Sequence, residues 1–152
     1  MVEYEKIKKI PYGGDYNPEQ WPEETWEEDM RLLKLAHIDI VTLNVFSWAM
    51  LQSDDDVYHF EKLDKIMELV KKHGMKVCLA TSTGAHPAWM ARKHPDILRV
   101  EANGIKRKFG SRHNSCPNSP TYQKYAAALA TKLAERYGNY DNLVAWHISN
   151  EY

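Results

Sequence analysis

The sequence predicts an α/β protein on a parallel sheet of about four strand-helix units, and three observations carry that reading. Short, nearly all-apolar runs alternate with longer segments whose apolar residues recur at helical spacing. The apolar runs lack the two-residue alternation of a half-solvated strand, as expected where both faces are covered. Polar and aromatic clusters follow the apolar runs, where a parallel sheet gathers its functional groups on one face.

The elements follow in order. Ile7 to Gly14 reads as the first strand, closed by Gly13-Gly14. Pro22 opens a helix with Glu23 and Glu24 in its first turn, where the helix dipole favours acids. Trp26, Met30, Leu33 and Ala36 or His37 form its apolar face. Ile38 to Phe46 is the second strand, read as buried on both sides. Asp54-Asp55-Asp56 reads as a turn. Leu63, Ile66, Met67 and Val70 mark the next helix; Lys71, Lys72 and His73 occupy its last turn, and Gly74 stands at the residue just past its end. Met75 to Ala80 is the third strand. A long loop runs to Pro117, holding a short helix near Ala88 to Arg92 and the basic Lys106-Arg107-Lys108. Loops of that length in compact domains are usually functional or disordered. Ser119 caps a helix that starts with Pro120, buries Leu129 and Leu133, and ends at Gly138; Leu143 to Ser149 is the fourth strand.

At 152 residues the chain is long enough for one domain with a core. A net charge of -1 gives no electrostatic footprint for nucleic acid. No apolar run approaches a membrane span, and the first residues carry no signal-peptide core, so a cytoplasmic location is expected. The two cysteines, Cys78 and Cys116, read as free thiols. Seven histidines include no HExxH pair, and no phosphate-binding glycine motif follows a strand, which weighs against a doubly wound nucleotide fold.

All four strand ends fall on one predicted face. They bring together Asp15-Tyr16-Asn17, Phe46-Ser47-Trp48, Thr81-Ser82-Thr83, Arg112-His113-Asn114 and Asn150-Glu151. A carboxylic acid in a partly apolar site has a raised pKa and can protonate a departing oxygen, while a neighbouring Asn can orient a hydroxylated substrate. Glu151 therefore reads either as a solvated tail residue or as the candidate acid, with Asn150 beside it, and Arg112 reads as a surface loop residue.

Five segments together resemble the N-terminal part of the glycoside hydrolase family 42 β-galactosidases. They are Tyr12 to Trp21 (YGGDYNPEQW), Phe46 to Ala49 (FSWA), Ala80 to Trp89 (ATSTGAHPAW), Gly110 to Pro120 (GSRHNSCPNSP) and Ala145 to Tyr152 (AWHISNEY). The resemblance implies the first half, about four βα units, of a TIM (β/α)8 barrel, with residues 1–152 forming an incomplete catalytic domain. It implies retaining hydrolysis of terminal non-reducing β-D-galactose residues, with Glu151 as general acid/base and Arg112 and Asn150 binding substrate. Cys116 falls where some members place the first cysteine of a structural zinc site. No cofactor is required by the chemistry, and full-length members are often homotrimeric.

The family nucleophile comes from a later strand, and no Glu here takes its place; Glu19 reads as the start of a loop or helix. Retaining hydrolysis needs two carboxyl groups about 5–5.5 Å apart. The expectation is thus a chain that carries the acid/base without the nucleophile, is inactive alone, and self-associates through open sheet edges. The competing readings are a non-catalytic half-barrel that binds carbohydrate or a partner, a barrel glycosidase of another specificity, and an unrelated small α/β binding module.

Overall fold

The computed structural model describes Ile7 and residues 9–150. Glu151, the candidate acid, lies outside the described residues, as do Tyr152, Lys8 and residues 1–6.

Four parallel strands stand in the order β1-β2-β5-β6, comprising β1 (Gly13–Asp15), β2 (Ile40–Leu43), β5 (Lys76–Ala80) and β6 (Leu143–His147). Spatial order follows chain order, as in the first half of a (β/α)8 barrel. Between them run α1 (Trp26–Leu35), α3 (Glu61–Lys72) and α5 (Pro120–Tyr137), with the short α2 (Trp48–Leu51) and α4 (Ala88–Lys93) in the connections. None of the described helices is long and apolar enough to cross a membrane.

Helix signals in the sequence map closely onto structure. Ser119 Oγ accepts a hydrogen bond from the Tyr122 backbone N–H at 3.2 Å, with Pro120 in the first turn of α5. Gly74 follows α3 at φ +72, the left-handed geometry that glycine adopts without strain. The α3 face of Leu63, Ile66, Met67 and Val70 is fully buried. It meets Tyr125, Leu129, Leu133 and Tyr137, spaced four apart on α5, in one core with Val41, Leu43, Val77 and Leu79 of the sheet. Each such side chain contributes about 1.5–3 kcal/mol by leaving water. Asp64 of α3 accepts from both Arg136 and Tyr137 of α5, tying the two helices at their outer edge.

Four sequence expectations are corrected. First, β1 begins only at Gly13, because its partner β2 has four residues and the register starts at Gly13 opposite Ile40. Second, α1 starts at Trp26, after a single 3-10 turn at Glu23–Thr25, and Ala36 and His37 lie past its end, exposed. Third, β2 is not buried on both sides. Val41 and Leu43 are buried while Ile40 and Thr42 are only half-buried, because the helices cover one face of the sheet. Fourth, Asp55 and Asp56 form the expected turn, but Asp54 ends β3 (Gln52–Asp54) and β4 (Val57–Tyr58) follows, so the turn closes a hairpin.

That hairpin is clamped to the rest of the fold. Asp55 accepts from Tyr125 at 2.6 Å and pairs with Lys93 at 3.0 Å and His94 at 3.1 Å; Asp54 also pairs with Lys93. Hydrogen bonds from Tyr125, His94 and Lys93 hold the Asp55 carboxyl well below the usual range. Burial and the facing Asp55 carboxylate push the Tyr125 phenol up to about 12.

Candidate active site

The site is built where β2, β5 and β6 end. The chain leaves β2 through Asn44 and β5 through Ser82, at φ 69 and 61. Side chains rarely tolerate this left-handed region, and Asn and other short polar residues enter it by bonding locally. Here the two turns bond each other: Asn44 Nδ2 donates to the Ala80 carbonyl at 3.1 Å, and Ser82 Oγ donates to the Asn44 carbonyl. The end of β6 is held in the same way. The Ile148 carbonyl accepts from Thr81 Oγ1 at 2.7 Å and Thr83 Oγ1 at 3.1 Å. Tyr122 of α5 then donates to the Thr83 carbonyl at 2.7 Å. The Thr-Ser-Thr segment after β5 is thereby a splice between neighbouring strand ends.

The long loop crosses this splice. Its segment 111–113 carries two further left-handed residues, Ser111 at φ 61 and His113 at φ 58. The His113 backbone N–H donates to the Gly84 carbonyl at 3.0 Å, which sets the loop down on the β5 turn. Arg112 then lies with its guanidinium carbon 5.6 Å from the centre of the Phe46 ring. Gly84 is the meeting point. A methyl group there would lie 3.6 Å from the Phe46 ring, 3.7 Å from the His113 ring and 3.9 Å from Asn150 Cβ. A cleft of about 440 Å³ opens alongside, lined by Thr83, His113, Tyr122, Ile148 and Ser149 among others.

Asn114, grouped with the site by sequence, is instead the staple of the long loop. It is nearly buried; Arg107 donates to its Oδ1 at 3.0 Å, and its Nδ2 donates to the Lys108 carbonyl at 3.1 Å and to the Gly110 carbonyl. Trp48 is a core residue, fully buried, with Nε1 bonded to Gln52. Glu19 sits in a short 3-10 turn, Pro18–Gln20, and accepts from Ser47 Oγ at 2.6 Å.

Cys116 anchors the loop through its backbone, with its N–H on the Ile97 carbonyl at 2.6 Å, and its thiol is free and half-buried. A structural zinc site needs about four ligands. Among the described residues no group of three His, Cys, Asp or Glu could hold a metal. The described residues therefore do not fit a closed zinc site.

Of the sequence-predicted residues, Arg112 and Asn150 come together here, through Phe46 and Gly84. Sequence reasoning placed Phe46 and His113 on the right face without assigning either a role, and it passed over Gly84. Periodicity does not mark such residues, because a left-handed loop makes their contacts. His86, close by in sequence, donates or accepts at Ser115 Oγ through Nδ1 at 2.6 Å, and burial pushes its pKa down.

Comparison with known proteins matches this arrangement to one family. The family model for glycoside hydrolase family 42, described as β-galactosidase, matches residues 15–152. Among curated relatives, β-galactosidase BgaP of Planococcus sp. (strain L4) is 60% identical over 149 residues. β-Galactosidase LacZ of Heyndrickxia coagulans is 52% identical over 147 residues. The match covers 97% of this chain and 22% of each relative, so the chain spans about a fifth of their length. Among solved structures, a β-galactosidase from Bacillus circulans sp. alkalophilus superposes with a TM-score of 0.95 at 64% identity. A cold-adapted β-galactosidase from Rahnella sp. R3 superposes with a TM-score of 0.94 at 37% identity. Each of these two alignments covers 97% of this chain and 22% of the solved one.

Proposed function

The chain belongs to the glycoside hydrolase family 42 β-galactosidases, and we propose that it supplies the acid/base half of a retaining β-galactosidase site. The observation that carries this is the convergence of Phe46, His113 and Asn150 around Gly84 at the ends of β2, β5 and β6, with Arg112 on the Phe46 ring. Barrel enzymes place catalytic groups at that end of the strands. Glu151 follows Asn150 directly in sequence.

In this reading Glu151 protonates the glycosidic oxygen as its bond to the galactosyl C1 breaks. A carboxylate from outside these 152 residues attacks C1 and forms the glycosyl-enzyme. Glu151, now ionised, takes a proton from the water that displaces that carboxylate. Arg112 offers a rigid fork of donors to sugar oxygens, its plane steadied on Phe46. Asn150 can both donate to and accept from a hydroxyl. Terminal β-D-galactosides are the proposed substrates, supported by the names of the relatives.

The test places this chain in the Bacillus circulans enzyme in place of its matching segment. The chimera is assayed on an alkyl or disaccharide galactoside, whose leaving group needs protonation. We expect hydrolysis, a fall in kcat of about 10³-fold or more in Glu151→Gln, and no turnover by the 152-residue chain alone. Undiminished turnover in the Glu151→Gln chimera would overturn the acid/base assignment. Turnover by the chain alone, abolished in Glu151→Gln, would overturn the external nucleophile.

A further inference from the structure

Two buried polar atoms of the site, His113 Nε2 and Asn150 Nδ2, have no hydrogen-bond partner among the described residues. Native structures rarely leave such atoms unpaired, so each marks a place where a partner is missing. Both residues flank Gly84. A methyl group there would lie 3.7 Å from His113 Cε1 and 3.9 Å from Asn150 Cβ, so both side chains reach the same point beside Gly84. Their chemistry is complementary, since a neutral imidazole nitrogen accepts where a carboxamide NH2 donates.

His113 is also held in place at a cost. Its φ of 58 is a left-handed conformation, and its N–H is bonded to the Gly84 carbonyl at 3.0 Å. A non-glycine residue stays in that region only where its surroundings impose it, and such residues gather at functional sites. The result is a ring fixed beside Gly84, with Asn150 against the same glycine.

We infer that His113 is a positioning residue for Asn150: with substrate bound, Nε2 of His113 accepts a hydrogen bond from Asn150 Nδ2 and turns Asn150 Oδ1 toward a sugar hydroxyl. The inference rests on the galactosidase reading above. An asparagine amide has one donor end and one acceptor end, and the two differ little in shape. Securing the donor end on His113 decides that the sugar hydroxyl meets an acceptor and must donate. Without that bond the amide can turn over and present NH2 to a hydroxyl that already needs an acceptor. The bond requires His113 to carry its proton on Nδ1.

The experiment is a double-mutant cycle in the chimeric enzyme, with His113→Ala, His113→Gln, Asn150→Ala and the double Ala variant. We expect His113→Ala to lower kcat about tenfold or more while KM changes less than about threefold, since the orientation matters most where the hydroxyl bond tightens in the transition state. His113→Gln, whose Oε1 can accept in place of Nε2, should recover to within about threefold of the parent. The double variant should be no worse than Asn150→Ala alone. His113→Phe keeps the ring volume without the acceptor and replaces His113→Ala if that variant fails to fold. Equal losses in Ala and Gln variants, or losses that multiply in the double variant, would overturn the inference. With Glu151→Gln inactive, those results would overturn only the role of His113. Full turnover in Glu151→Gln would overturn the acid/base reading and the inference with it.

Discussion

The Arg112 guanidinium lies over the Phe46 ring, 5.6 Å from its centre, and joins the long loop to the end of β2. The two residues are 66 positions apart in sequence and meet only because both strand-end segments rise from one face of the sheet. Arg112→Lys keeps the charge and loses the planar fork and its stacking, worth about 0.5–1 kcal/mol in such a setting. In the chimeric galactosidase we expect kcat/KM to fall about tenfold in Arg112→Lys, with thermal stability only slightly lowered. Steady-state kinetics beside a melting curve checks both halves.

Adjacent glycines of β1 should respond in opposite ways to alanine. A Cβ on Gly13 would stand 1.7 Å from the Ile40 carbonyl oxygen of β2, a backbone atom that cannot move without breaking the register. A Cβ on Gly14 meets nothing within 4 Å. Gly13→Ala is expected to cost about 2 kcal/mol or more, and Gly14→Ala to be neutral or slightly stabilising. Urea midpoints of the two variants decide it.

Acid should weaken the fold in two stages. Burial lowers the pKa of His86, so the native state keeps it neutral while the unfolded chain takes up a proton near the ordinary value of 6.5. Stability therefore falls as pH drops below that value, until the folded-state pKa is passed. Asp64 behaves as a carboxylate held low, chiefly by Arg136, with Tyr137 also donating to it. Its contribution is present above the ordinary 3.8 and is lost as pH falls through the folded value. Urea midpoints measured from pH 8 to 2 should lose the first stage in His86→Gln and part of the second in Asp64→Asn. A flat profile between pH 7 and 5 in the parent would contradict the first stage.

The 152-residue chain on its own should self-associate. β1 and β6 are the outer strands of the sheet, and each pairs on one side only among the described residues. Unpaired strand edges recruit further strands. Leu35 of α1 and Ile148 beyond β6 are each more than 60% exposed, adding apolar surface. Sedimentation should give a mass above the 17.7 kDa of one chain, rising with concentration; a constant 17.7 kDa would contradict it.

The regular elements were legible because their signals are local. The cap at Ser119, the stripe from Leu63 to Val70 and the glycine after His73 each act within a turn or two of chain. The β3–β4 hairpin was missed because its strands are too short to show a period, and its stability comes from Lys93, His94 and Tyr125, distant in sequence. The half-buried Thr42 was misread because covering a sheet face is a property of the whole layer, not of one strand. In the site, Arg112 and Asn150 could be found from motif and strand position. Gly84 owes its role to groups that three other segments bring against it, and His113 to a left-handed backbone, neither of which the residue type announces.

The Asn114 staple has a thermodynamic consequence. A loop of this length would ordinarily be ordered by its ligand, and each segment so ordered subtracts from affinity. Here Asn114 closes the loop upon Arg107, Lys108 and Gly110 before any sugar arrives. The entropy of the loop is thus lost during folding rather than on association. Sugar binding should accordingly show a small heat-capacity change, set by the area the ligand covers and not by a coil-to-ordered transition in the protein.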